Sequence, residues 1–127
     1  MRAVAIRTGT TVNYSKPEIG LAKGRSMNDL ATVKLTVSNT GSRATDEVVQ
    51  LYIHDIDATI VRPVKELKGF QRVHLEAGES KEIIFELTRD MLSYYDGEGN
   101  VVLEPGKFDI MTGPNSRDVQ SVSYELK

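Results

Sequence analysis

Residues 33–38 alternate with a period of two: Val33, Leu35 and Val37 project to one side, Lys34, Thr36 and Ser38 to the other. An extended chain puts successive side chains on opposite faces, so this pattern marks a half-buried β-strand. It recurs twice in clear form. Within 47–55, Val49, Leu51 and Ile53 share a face opposed by Gln50 and Tyr52, and within 82–87, Ile83, Phe85 and Leu87 do the same. Turn chemistry separates the runs at Asn39-Thr40-Gly41-Ser42, Glu76-Ala77-Gly78-Glu79, Asp96-Gly97-Glu98-Gly99-Asn100 and Glu104-Pro105-Gly106,. No stretch of ~10 residues carries a helical period. Thr88-Arg89-Asp90-Met91-Leu92 allows one short helical turn.

Further strands are expected over 14–22, 60–64, 65–75, 93–95, 101–103, 108–112 and 121–126. Pro17 places the first of these at a sheet edge, because proline donates no ladder hydrogen bond. Arg62-Pro63 marks a short edge or crossing segment, and Gly69 a bulge or a close backbone approach,. Short strands with turn signals every ~8–12 residues predict an all-β, immunoglobulin-like antiparallel sandwich of about seven strands. A chain of 127 residues fits one domain with one core,. Residues 1–12 read as a linker or arm and 13–127 as the domain. Val33, Leu35, Val37, Val49, Leu51, Ile53, Phe85, Leu87, Phe108 and Ile110 are the expected core.

Composition narrows the function classes. The chain has no cysteine, which removes disulfides, thiolate metal sites and cysteine nucleophiles together,. Its net charge is −2, with acids and bases interspersed, so there is no basic stripe for nucleic acid,. No apolar run approaches the ~20 residues of a membrane-spanning helix. Ala3 to Ile6 is too short for a signal-peptide core, so an export signal is expected outside this chain if the protein works beyond the cytoplasm,. No cofactor fingerprint, phosphate loop or Gly-x-Ser-x-Gly elbow appears.

Each candidate for chemistry has an ordinary alternative. His54 lies beside Asp55 and Asp57, but His74 has no spacing relation to it, and a polar strand end looks the same,. Counted from Asp96, the sixth and twelfth positions of a calcium loop are Val101 and Lys107, where glycine and glutamate are required, so this segment is a turn,. Asp46 with Glu47, or Glu79 with Glu82, are expected as solvated charges, since glycosidase carboxylates must face each other across a cleft ~5–10 Å wide. Tyr94 and Tyr95 are adjacent in an extended segment, so one is expected in the core and the other at the surface, where it would be available for sugar stacking,. Asn13-Tyr14-Ser15 has the form of a glycosylation sequon, which chance explains as well,.

Several longer stretches carry a resemblance. Val33-Lys34-Leu35-Thr36-Val37-Ser38-Asn39-Thr40-Gly41, Asp46-Glu47-Val48-Val49-Gln50-Leu51-Tyr52, Arg62-Pro63-Val64-Lys65-Glu66-Leu67-Lys68-Gly69-Phe70-Gln71-Arg72-Val73 and Glu104-Pro105-Gly106-Lys107-Phe108 occur in this order. Together they resemble the C-terminal fibronectin type III-like domain of family-3 glycoside hydrolases, the β-glucosidases, β-xylosidases and their relatives. The likeness runs from about Thr10 to Leu126. It implies a non-catalytic accessory domain that packs against the catalytic domains of a larger enzyme, with binding of a glycan as the alternative. The family's catalytic barrel and its nucleophile match nothing here, and the joining stretch typical of the family is not recognisable in Arg2 to Thr8. The chain is therefore expected to be a domain cut from a larger enzyme, or an orphan fragment of one, without catalytic residues of its own. Arg62, Lys65, Glu66, Lys68 and Phe70 are the candidate contact residues, because a stiff Arg-Pro segment flanked by charges and an aromatic suits a polar-rimmed contact. Phe70 has a competing place in the core, where a strand aromatic ordinarily goes.

Overall fold

The computed structural model describes residues 12–21, 29–56, 65–95 and 97–126. Two antiparallel four-stranded sheets face each other. The first is built on β3 (Asp29–Asn39), which pairs with β6 (Ser80–Thr88) on one edge and with β1 (Val12–Tyr14) and β2 (Glu18–Leu21) on the other. The second runs in the order β10 (Gln120–Leu126), β9 (Gly106–Gly113), β4 (Thr45–Asp55), β5 (Glu66–Leu75). A two-stranded ribbon, β7 (Tyr94–Tyr95) with β8 (Val101–Val102), follows the single helical turn α1 (Arg89–Leu92). Thr88 caps that turn, its hydroxyl accepting the Met91 amide,.

Ten strands thus occur among the described residues, against the expected seven or so. Both differences have local causes. β1 and β2 are one edge strand interrupted at Ser15–Pro17, where Ser15 still exchanges bonds with the Thr36 backbone but Pro17 has no amide to offer,. The β7–β8 ribbon stands apart from both sheets. Joining the split strand and setting the ribbon aside leaves seven lines of strand in the sandwich.

All ten expected core residues are buried, and Leu75, Ile83, Leu92 and Ala31 join them. The bulge also falls where glycine marked it. Leu51 pairs with Gly69 and Tyr52 with Leu67, so Lys68 is the extra residue,. The sandwich is stitched along both lateral seams by glutamine amides: Gln71 Nε2 donates to the Ile84 carbonyl at 2.6 Å, and Gln120 Nε2 to the Tyr14 carbonyl at 2.8 Å. At Gly113 a β-carbon would lie 2.4 Å from the Asp118 carbonyl oxygen, so the β9–β10 turn closes only over glycine.

One end of the sandwich hangs on Asn39, which is 1% exposed. Its Nδ2 donates to the Arg43 carbonyl at 2.7 Å and the Leu75 carbonyl at 3.3 Å, and its Oδ1 accepts the Gly41 amide at 2.9 Å. Its backbone bonds Glu79 and Gly78, the latter at a φ of 78° that favours glycine,. A single side chain therefore ties the β3–β4 turn to the β5–β6 turn, with its polar atoms satisfied.

Candidate functional site

Among the described residues, no group of three or more His, Asp or Glu side chains is placed to hold a metal ion. His54 Nδ1 lies 3.9 Å from Asp109 Oδ2 at the end of β4, and Asp57 is outside the described residues. Glu79 caps its own turn by accepting the Glu76 amide, and Glu82 pairs with Lys34 at 3.8 Å on the outer face of the first sheet. A shallow open groove there is lined by Glu18, Ile19, Gly20, Thr32, Lys34, Glu82 and Ile84, with no aromatic side chain to stack on a sugar.

Two ionisable clusters escaped the sequence reading. Asp46 and Glu47 were expected as solvated charges, but both lie in β4 and face opposite ways. Glu47 is buried against the core and accepts a hydrogen bond from the Tyr14 hydroxyl, which clamps β1 onto the opposite sheet. Burial pushes the Glu47 carboxyl up, opposed by the bond from Tyr14, and burial likewise raises the Tyr14 hydroxyl. The signal was present: Glu47 stands in phase with Val49, Leu51 and Ile53.

On the outer face, the His74 ring bonds Asp46 Oδ1 at 2.7 Å through Nδ1 and Glu76 Oε2 at 2.6 Å through Nε2. Arg72 Nη2 approaches Asp46 at 3.9 Å. The two carboxylates sit on opposite ring nitrogens, so they hold an imidazolium rather than converge on a ligand. The Asp46 bond, then the Glu76 bond, raise the His74 pKa above its ordinary 6.5, and the bond from His74 holds Asp46 below the usual carboxylate value. The stabilisation from this cluster is therefore fully present between the ordinary carboxylate value of 3.8 and the ordinary histidine value of 6.5; it is lost as pH rises through the raised folded value of His74 and as pH falls through the depressed folded value of Asp46,. An NMR titration of the ring should show His74 titrating above the unfolded value in the native protein and returning towards it in Asp46→Asn.

The candidate contact residues fall on β5, the last strand of the second sheet, and the residue leading into it. Lys65 donates to the Ser116 carbonyl, and Lys68 Nζ lies 3.7 Å from Glu66 Oε1, so these charges are partly engaged within the domain. Arg62 lies outside the described residues. Phe70 is 66% exposed, which overturns its place in the core. The cause is the register: Gln50 pairs with Phe70 and Leu51 with Gly69, so Gly69 occupies the inward position against Phe85 and Phe70 must face out. Tyr94 and Tyr95 behave as their alternation predicts. Tyr94 is buried and donates to Glu104 Oε1 at 2.7 Å, while Tyr95 is 72% exposed, so the two rings do not form a shared platform.

The family model for the fibronectin type III-like domain matches residues 47–116. The chain belongs to that family. This fibronectin type III-like domain is 39% identical over 118 residues to a β-glucosidase of Bacteroides ovatus, covering 91% of this chain and 16% of the enzyme. It is 38% identical over 124 residues to a β-glucosidase of Kluyveromyces marxianus, covering 95% of this chain and 15% of that one. Among solved structures, a β-glucosidase of Erythrobacter marinus superposes with a TM-score of 0.82 at 40% identity, covering 91% of this chain and 15% of the other. The domain thus spans about 15% of the length of the enzymes it matches. These relatives are β-glucosidases, one of the enzyme classes to which the sequence resemblance pointed.

Proposed function

We propose that this fibronectin type III-like domain is a non-catalytic accessory module of a family-3 glycoside hydrolase, a β-glucosidase that cleaves O-glycosyl bonds, and that it stabilises the catalytic domains by packing against them. The observation that carries this reading is a mismatch of scale. The domain matches β-glucosidases over nine-tenths of its own length but only about 15% of theirs. Its described residues bring together no acid/base pair across a cleft. Lys65, Glu66, Lys68 and Phe70 on and beside β5, with Arg62 preceding them, are the proposed contact residues. An intra-chain contact of this kind buries roughly 600–1,500 Å².

The test uses the Bacteroides ovatus relative. Deleting its matching segment should lower its melting temperature and activity, and grafting residues 12–126 of this domain in its place should restore a substantial part of both. The purified domain alone should not hydrolyse an aryl β-glucoside. A deletion as stable and active as the intact enzyme, or hydrolysis by the domain alone, would overturn the proposal. Saturable binding of the isolated domain to cello-oligosaccharides or xylan would instead favour a glycan-binding role.

A further inference from the structure

Seven large apolar side chains are exposed among the described residues: Leu21, Val48, Ile56, Leu67, Phe70, Tyr95 and Val101. Scattered single exposures are ordinary on a protein surface; a contiguous group is not. The ladder register separates the two cases. On the outer face of the second sheet, Tyr52 pairs with Leu67 on one side and Met111 on the other, Gln50 pairs with Phe70, and Val48 pairs with Arg72. Neighbouring and diagonal positions on one sheet face lie within side-chain reach. Leu67, Tyr52, Phe70 and Val48 therefore occupy paired or diagonal positions in one stripe across β4 and β5, with Gln50 set within it and the buried Met111 opposite Tyr52 on β9. Leu21 and Ile56 have no such neighbour among the exposed apolar residues. Tyr95 and Val101 pair only with each other, on the small ribbon.

The stripe has the anatomy of an interface centre. Its middle is aromatic and aliphatic. Beyond Val48 its polar border is the His74–Asp46–Arg72–Glu76 cluster, where two cations face two carboxylates, and beyond Tyr52 it is His54 with Asp109. A partner surface meeting this face needs apolar groups at its centre and polar groups at its edges.

We infer that this outer face, centred on Phe70 and Leu67, is the surface through which the domain docks, and that its occupant is the catalytic part of the same longer polypeptide. The inference rests on the accessory role proposed above and names the face that performs it. The reason for choosing that occupant is the length of the matched enzymes: this domain covers only 15% and 16% of the two relatives, so most of each is polypeptide outside it, and a tethered surface meets a face at high effective concentration.

The experiment compares Phe70→Ser/Leu67→Ser with Tyr95→Ser/Val101→Ser, each made in the isolated domain and in the Bacteroides ovatus graft. Both double variants should leave the melting temperature of the isolated domain nearly unchanged, since all four side chains are exposed. In the graft, the Phe70/Leu67 pair should abolish the stabilisation gained over the deleted enzyme, while the Tyr95/Val101 pair keeps it. As a second measurement, the isolated domain is titrated into the deleted enzyme and amide shifts are followed. Shifts confined to β4, β5 and β9, and an affinity at least about tenfold weaker for the Phe70/Leu67 variant, are expected. Full stabilisation by the Phe70/Leu67 variant, or shifts centred on β7–β8 or the first sheet, would overturn the choice of face while leaving the accessory role standing. A wild-type graft no better than the deletion, with no binding in trans, would overturn the accessory role itself.

Discussion

Phe85→Ala should lower the unfolding free energy by about 3–5 kcal/mol, the cost of emptying a large site in a core that cannot fully collapse. Phe85 is 4% exposed in the middle of β6, opposite Val33 of β3, and its ring also lies 3.7 Å from where a β-carbon of Gly69 would stand. It spans the gap between the sheets, so its loss is felt on both. Denaturant unfolding with unchanged slope and a lowered midpoint is the expected signature. A loss under ~1 kcal/mol would mean that β6 presents its other face to the core.

Asn39→Ala should cost roughly as much by a different route. Truncation strands the Leu75 carbonyl at a buried position, at a penalty of about 1–3 kcal/mol, and removes the partner of the Arg43 carbonyl and the Gly41 amide at part-buried positions, where the penalty is smaller,. Partial access of water to the turn trims the sum, leaving an expected loss of about 3 kcal/mol. The local readout is specific: amide exchange should accelerate at Gly41, and in the 76–79 turn through Gly78, more than in the centre of β4. Uniform acceleration, or a loss within ~0.5 kcal/mol, would remove Asn39 from its role as the tie between the turns.

The two predictions differ in how far the sequence alone supports them. Phe85 was legible because strand alternation is a strictly local signal: Ile83, Phe85 and Leu87 state their face within five residues. The same holds for the β4 core residues, the helical turn after Thr88, the bulge beside Gly69, and the opposed faces of Tyr94 and Tyr95. Asn39 was legible only as a turn residue. Its partner at Leu75 is 36 residues away, and nothing in the spacing of Asn39-Thr40-Gly41 announces a bond that closes across the sandwich. Glu47 was misplaced because its charge outweighed its phase; the alternation already put it inside, but only the arrival of Tyr14 from β1 makes that position tenable. For Phe70, named as a contact residue with a competing place in the core, the structure removes the competing place. Its aromatic character spoke for the core, while the bulge at Lys68 and the glycine at the inward position fixed it outside. The site followed the same pattern. Sequence reading reached β5 through its charges and Phe70, but Leu67, Tyr52 and Val48 join the stripe only through cross-strand register, which no single segment encodes.

That stripe also explains why a domain with an ordinary composition has an unusual surface. Its sandwich is complete without those side chains, so exposing Phe70 and Leu67 adds nothing to its own fold. A partner that covers them, as proposed above, would account for them.

The most direct measurement is calorimetric unfolding of the Bacteroides ovatus enzyme carrying this domain as a graft. A module that packs against the catalytic domains and stabilises them should unfold with them, in one cooperative transition lying above that of the deleted enzyme. Two independent transitions, one matching the isolated domain and one matching the deleted enzyme, would show a tethered bystander and contradict the account.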